Sequence, residues 1–164
     1  MPLSYLFYRP MSYSDLASLS PIIKRSFDDD AKVSFHQETG GPIGYDDGSL
    51  LRRYIEDLLA DAYCICLQDE VIGGMIVKID EEQKMGHLEL LFIDPIHMGQ
   101  GYGYQAWLWI EDHYSFVEKW ITNTPAVSFR NHCFYVNKCG FHVTGIAGGK
   151  DPENAWFILK KIRI

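Results

Sequence analysis

The chain has 164 residues, 47% of them hydrophobic, and 15 basic against 22 acidic side chains give it a net charge of −7. That length suits one domain, residues 1–164, burying roughly 68–70% of its unfolded surface. The negative balance disfavours nucleic acid and anionic membrane as partners; no run of about 18 apolar residues is present to cross a bilayer, and Met1 to Pro10 lacks a secretory layout, so a soluble, cytoplasmic protein is expected.

YLFYR, residues 5–9, reads as a first strand, after which Ser12 or Ser14 caps a helix. Leu16, Leu19, Ile22, Ile23 and Phe27 recur along it at helical spacing, with a kink expected at Pro21. Residues 28–48 show no period and contain Gly40, Gly41, Pro42 and Gly44. A long irregular loop is therefore expected there, carrying Asp28, Asp29, Asp30 and His36. Leu50, Leu51, Tyr54, Ile55, Leu58 and Leu59 mark a second helix, capped by Asp46, Asp47 or Ser49.

Residues 62–68 and 71–79 form a hairpin around Asp69-Glu70, and residues 87–93 form the next strand. Ala106, Trp107, Ile110, Tyr114 and Val117 then repeat as a helix. KWITNT is a strand, and Pro125 suits the first turn of a helix that stops at Gly140. FHVTGIA and AWFILKKI close the chain as a hairpin around GGKDPEN. The order β-α-α-β-β-β-α-β-α-β-β predicts an α/β mixed sheet covered on both faces.

Cys64, Cys66, Cys133 and Cys139 show neither CxxC nor zinc-ligand spacing, so reduced thiols and no metal are expected. His97, His113, His132 and His142 lack metal spacing too. Trp107, Trp109 and Trp120 leave room for a homodimer patch, although core packing is their simpler use.

The segment from His87 to Gln105, HLELLFIDPIHMGQGYGYQ, carries the chemistry: a strand runs into Gly99, Gly101 and Gly103 and then into a helix. Glycines at a helix N-terminus let an anionic ligand approach free backbone NH groups. The dinucleotide fingerprint G-x-G-x-x-G fails at Tyr104, and no Gly-Lys-Ser/Thr follows for a Walker loop.

Ile93-Asp94-Pro95-Ile96-His97-Met98-Gly99-Gln100-Gly101-Tyr102-Gly103 and, downstream of Arg130-Asn131, Phe134-Tyr135-Val136-Asn137-Lys138-Cys139-Gly140-Phe141 together resemble the GCN5-related N-acetyltransferase (GNAT) family. Trp120 and Thr124-Pro125 resemble a bacterial branch of it that acts on small amines or peptides. The resemblance implies about seven mostly antiparallel strands flanked by about four helices, with strands four and five splayed around acetyl-CoA as co-substrate. The implied activity is direct transfer of acetyl to a primary amine of a small molecule or peptide. A catalytically weak CoA-binding sensor of the same fold is the alternative.

By that resemblance the cofactor contacts are Leu91, Phe92, Ile93, Met98, Gly99, Gln100, Gly101, Tyr102, Gly103, Tyr104, Asn131, Tyr135 and Lys138, with Tyr135 also the acid. Strand alternation places residues 87, 89, 91 and 93 on one face, which makes His87 and Glu89 the candidate bases, the choice between them open. The family's usual Arg or Gln is Met98 here, and residues 89–117 contain no Lys or Arg, so the cradle rests on backbone NH groups and the helix dipole. A covalent route through Cys133 or Cys139 has no neighbouring base in the sequence to support it.

Overall fold

The computed structural model describes residues 5–163. In chain order the elements are β1 (Leu6–Pro10), α1 (Leu16–Phe35), α2 (Ser49–Glu56), β2 (Ala60–Leu67), β3 (Glu70–Asp80), β4 (Met85–Ile93) and α3 (Tyr102–His113). Then come β5 (Lys119–Pro125), α4 (Phe129–His132, continuing as a π-helix through Cys133–Lys138), β6 (His142–Ala147) and β7 (Trp156–Ile162). The strands form one sheet in the order β1-β2-β3-β4-β5-β7-β6. All neighbours are antiparallel except β4 and β5. Consecutive parallel strands need a crossover, and α3 supplies it. This is the expected seven-stranded α/β sheet, and none of the described helices is long and apolar enough to cross a membrane.

Each sheet face has its own core. On one, Trp107 and Ile110 of α3 meet Met75, Val77, Leu88, Trp120 and Leu159. On the other, Leu19, Ile22 and Ile23 of α1 and Leu51 of α2 meet Cys64, Cys66, Ile76 and Phe92. The side chains of Trp107 and Trp120 are wholly buried and their rings lie 5.3 Å apart, so both tryptophans serve the core. All four cysteines are free thiols.

Several expected boundaries move for local reasons. α1 runs on to Phe35 and absorbs the aspartates, leaving an irregular stretch of only 36–48. Asp28 pairs with Lys24 one turn earlier, and Asp30 accepts from Ser34 Oγ one turn later, 2.9 Å, so the acidic run is held inside the helix. Pro21 also lies within α1; its missing N–H frees only the Ala17 carbonyl, on an exposed face. α2 stops at Glu56, because Asp57 is extended and its carboxylate accepts from Leu59 N at 2.9 Å, a local bond that competes with the next helical turn. Leu58 and Leu59 are consequently exposed rather than helical. The β2–β3 turn is Gln68-Asp69, one residue earlier than expected, since Leu67 pairs with Glu70. Pro125 ends β5 opposite Trp156 instead of opening a helix; a proline is tolerated at a strand end, where one ladder donor is dispensable.

The seam between β4 and β5 is short. Only Met85–His87 pair with Lys119–Ile121. Gly86 makes that approach feasible, for a Cβ there would sit 2.4 Å from the Trp120 ring. Thr122 Oγ1 then donates to the buried Leu88 carbonyl at 2.9 Å, and no strand pairing follows. On its other edge β4 slips register against β3, with Ile76 opposite Leu90 and Val77 opposite Leu88, so Glu89 is the extra residue of a β-bulge.

The bulge corrects the expected alternation. Leu88 packs in the α3-side core, whereas Leu90 and Phe92 join the α1–α2 side and Leu91 and Ile93 return to the α3 side. His87 and Glu89 therefore share a face with Leu90, while Leu91 and Ile93 point the other way. Gly86→Ala should destabilise the fold by about 1–3 kcal/mol through overpacking against Trp120, read as a lower denaturant midpoint with an unchanged slope.

Candidate active site

The strand end that launches the glycine loop is pinned from two directions. Asp94 N donates to Ile72 O at 2.7 Å, and the buried Asp94 carboxylate accepts from Arg25 Nη2 of α1 at 2.6 Å and from Ile96 N at 3.4 Å. Burial pushes this carboxyl up, but Arg25 and the Ile96 NH outweigh it and hold it below the usual carboxylate range.

Beyond it, Gly99 (φ 78°) and Gly101 (φ 82°) adopt left-handed backbone, and a Cβ on either would meet nothing within 4 Å. The space above them is open. The first i−4 bond of α3 is Gln105 N to Gly101 O, 3.1 Å, so the NH groups of Tyr102, Gly103 and Tyr104 lie before any helical acceptor. Gly103 has no such backbone demand; a Cβ there would lie 3.6 Å from the Phe134 ring.

The loop, the Leu91–Ile93 end of β4 and the π-helical segment enclose a cavity of about 600 Å³. Of the cofactor-contact residues expected from sequence, all but Gln100 line it, and Gln100 is exposed at the loop's tip. Ser26, Phe27 and Asp30 from α1, together with His97, Arg130 and Phe134, complete the walls. Ser26, Phe27 and Asp30 were missed because α1 and the loop meet only in three dimensions, whereas His97, Arg130 and Phe134 lie in or beside the motif segments that the sequence already singled out. Lys138 and Arg130 bring to this cavity the positive charge that residues 89–117 lack, although Arg130 already contacts Asp29 at 3.0 Å and Asp30 at 3.8 Å.

A second cavity, about 570 Å³, opens on the other side of the parted strands, and His87 and Glu89 line it. Phe27, Asp30, Leu91, Asn131 and Tyr135 line both cavities, so Tyr135 stands where they meet. Its position depends on the π-helix. Cys139 N donates to Phe134 O, an i−5 bond of 3.0 Å, and Gly140 (φ 84°) ends the segment with Phe141 N donating to Tyr135 O at 2.9 Å. Tyr135 is 8% exposed, and burial pushes its phenol well above the ordinary value, so it stays protonated at neutral pH. Burial likewise pushes the Cys139 thiol up to about 12, which leaves little thiolate for nucleophilic attack. Glu89 Oε1 lies 3.8 Å from Lys78 Nζ, which has Asp57 closer at 3.2 Å.

Residues 24–141 match the model of the acetyltransferase (GNAT) family. A Bacillus subtilis (strain 168) relative, the uncharacterized protein YrkN, is 32% identical over 130 residues, or 79% of this chain and 69% of its own. The PaiA N-acetyltransferase of Thermoplasma acidophilum in complex with coenzyme A superposes with a TM-score of 0.73 at 17% identity, over 97% of this chain and 99% of that one. The spermidine N-acetyltransferase of Vibrio cholerae in complex with CoA and spermine gives 0.69 at 14% identity, over 96% and 95%. The family match over residues 24–141 defines the class, and the two solved structures share its fold: this chain belongs to the GNAT family. It is an N-acetyltransferase with acetyl-CoA as co-substrate.

Asp94→Asn should lower stability at pH 7 by roughly 1 kcal/mol. The group's folded pKa is depressed, so its contribution is present above the unfolded value of about 4 and is lost as pH falls through the lower folded value. Melting curves of the two proteins should therefore converge as pH is lowered below about 4.

Proposed function

We propose that the protein transfers acetyl directly to a primary amine of a small molecule or peptide, with the cofactor in the first cavity and the amine in the second. The observation that carries this reading is the junction itself: Tyr135 lines both cavities, and the base candidates line only the second. A pyrophosphate suits the space above Gly99 and Gly101, where free NH groups converge and Lys138 faces in.

Acetyl-CoA, when bound, supplies a thioester carbon open to attack and a thiolate leaving group. Glu89 or His87, directly or through water, removes a proton from the ammonium, because a primary amine attacks only in its neutral form. The β4 edge beyond His87 faces no strand, so backbone groups near Leu91 and Ile93 are left to pair with an extended ligand arm and to polarise a carbonyl oxygen. Tyr135 holds its proton at the junction and donates it where negative charge builds on sulfur.

Tyr135→Phe should keep acetyl-CoA affinity but lower turnover about tenfold or more in a thiol-release assay; unchanged turnover removes Tyr135 from the acid role. Gly101→Val places a branched side chain in left-handed backbone and in the open space above the loop. The rise in melting temperature produced by acetyl-CoA should then disappear, while the ligand-free protein loses only about 1–2 kcal/mol.

A further inference from the structure

Taking the second cavity as the acceptor site, we propose that its substrate is a compact primary amine with a single positive charge and a flat apolar body, an arylalkylamine in chemical class. Asp30, His87 and Glu89 are the ionisable acid and imidazole side chains lining it, and neither Lys nor Arg contributes. Asp30 is already engaged: it accepts from Ser34 Oγ at 2.9 Å and Ser128 Oγ at 3.1 Å, with the Arg130 guanidinium 3.8 Å away. Neighbouring Asp29 faces Arg130 as well, and Asp28 takes Lys24, the Tyr45 hydroxyl and the Gly40 NH. The acidic run is thus occupied by partners from α1, the 36–48 segment and α4. Glu89 has the Lys78 ammonium at 3.8 Å, itself held closer by Asp57 at 3.2 Å, so it is the lining carboxylate most open to an incoming ammonium, and the cavity offers one cationic position with none spaced along a chain for a second or third charge.

The walls match the rest of such a molecule. Phe35 and Trp156 line the cavity, yet neither ring belongs to either hydrophobic core, and Trp156 is 47% exposed. Aromatic rings that pack no core and border a cavity are available for an apolar guest. Gly40 and Gly41 also line the cavity, and a side chain would be crowded at either, since a Cβ would lie 3.3 Å from Ala31 Cβ at one and 2.8 Å from the Tyr45 ring at the other. At about 570 Å³ the cavity falls among small-molecule pockets.

The test is thiol release by the full chain with acetyl-CoA and a panel of 2-phenylethylamine, tryptamine, spermidine, kanamycin, lysine and a short peptide. The arylalkylamines should exceed spermidine and kanamycin in kcat/KM by about tenfold or more. Phe35→Ala should raise KM for 2-phenylethylamine several-fold with kcat and the acetyl-CoA KM held, and Phe35→Leu serves if the alanine variant fails to fold. Preference for spermidine, kanamycin, lysine or the peptide overturns this assignment and leaves the acetyl transfer reading standing. If acetyl-CoA raises the melting temperature but no amine releases thiol, both fall.

Discussion

β4 and β5 are bound as parallel neighbours over Met85–His87 alone, and what lies beyond that seam depends on their parting. Three local features set where it occurs. Gly86 lets the Trp120 ring come in close enough to lock the paired end, Thr122 closes the seam by donating to the Leu88 carbonyl, and the Glu89 bulge turns the rest of β4 away. A sheet that stayed zipped would satisfy every backbone group and leave no room for a ligand between its central strands. Here the freed edge of β4 borders one cavity, and Glu89, the bulged residue itself, borders the other. The π-helix answers from the far side, its extra residue per turn placing Tyr135 where the cavities meet.

Charge is arranged differently from what composition suggests. A net charge of −7 and the run Asp28-Asp29-Asp30 read as an open acidic surface. In the fold that run lies along α1, and its partners Lys24, Tyr45, Ser34, Ser128 and Arg130 tie the helix to the 36–48 segment and to α4. The positive charge absent from the glycine loop arrives from the same quarter, through Lys138 and Arg130. Electrostatics thus holds α1 and α4 together across the cleft, and each cavity keeps only a few ionisable side chains.

Element order and the glycine loop were legible because they rest on local signals: apolar periodicity, and glycine where the backbone takes φ near +80° at Gly99 and Gly101. The contacts expected of the loop and of Phe134-Tyr135 lie together for the same reason, each being set within one short segment. Alternation failed at Glu89, since a bulge is decided by the partner strand's register and leaves no mark in β4 alone. The aspartates read as part of an irregular loop, but their partners come from one turn away or from distant elements. The π-helix and the α1 side of the cleft were equally invisible: one is a change of hydrogen-bond partner, the other a meeting of residues 69 to 101 positions apart.

If the proposed chemistry holds, the parted strands present the thioester beside Tyr135. A crystal structure with coenzyme A bound tests it most directly. The pantetheine arm should lie along Leu91–Ile93, the pyrophosphate over Gly99–Tyr104 and the sulfur within hydrogen-bonding reach of the Tyr135 hydroxyl. Coenzyme A lying in the His87–Glu89 cavity, or its sulfur remote from Tyr135, would contradict it.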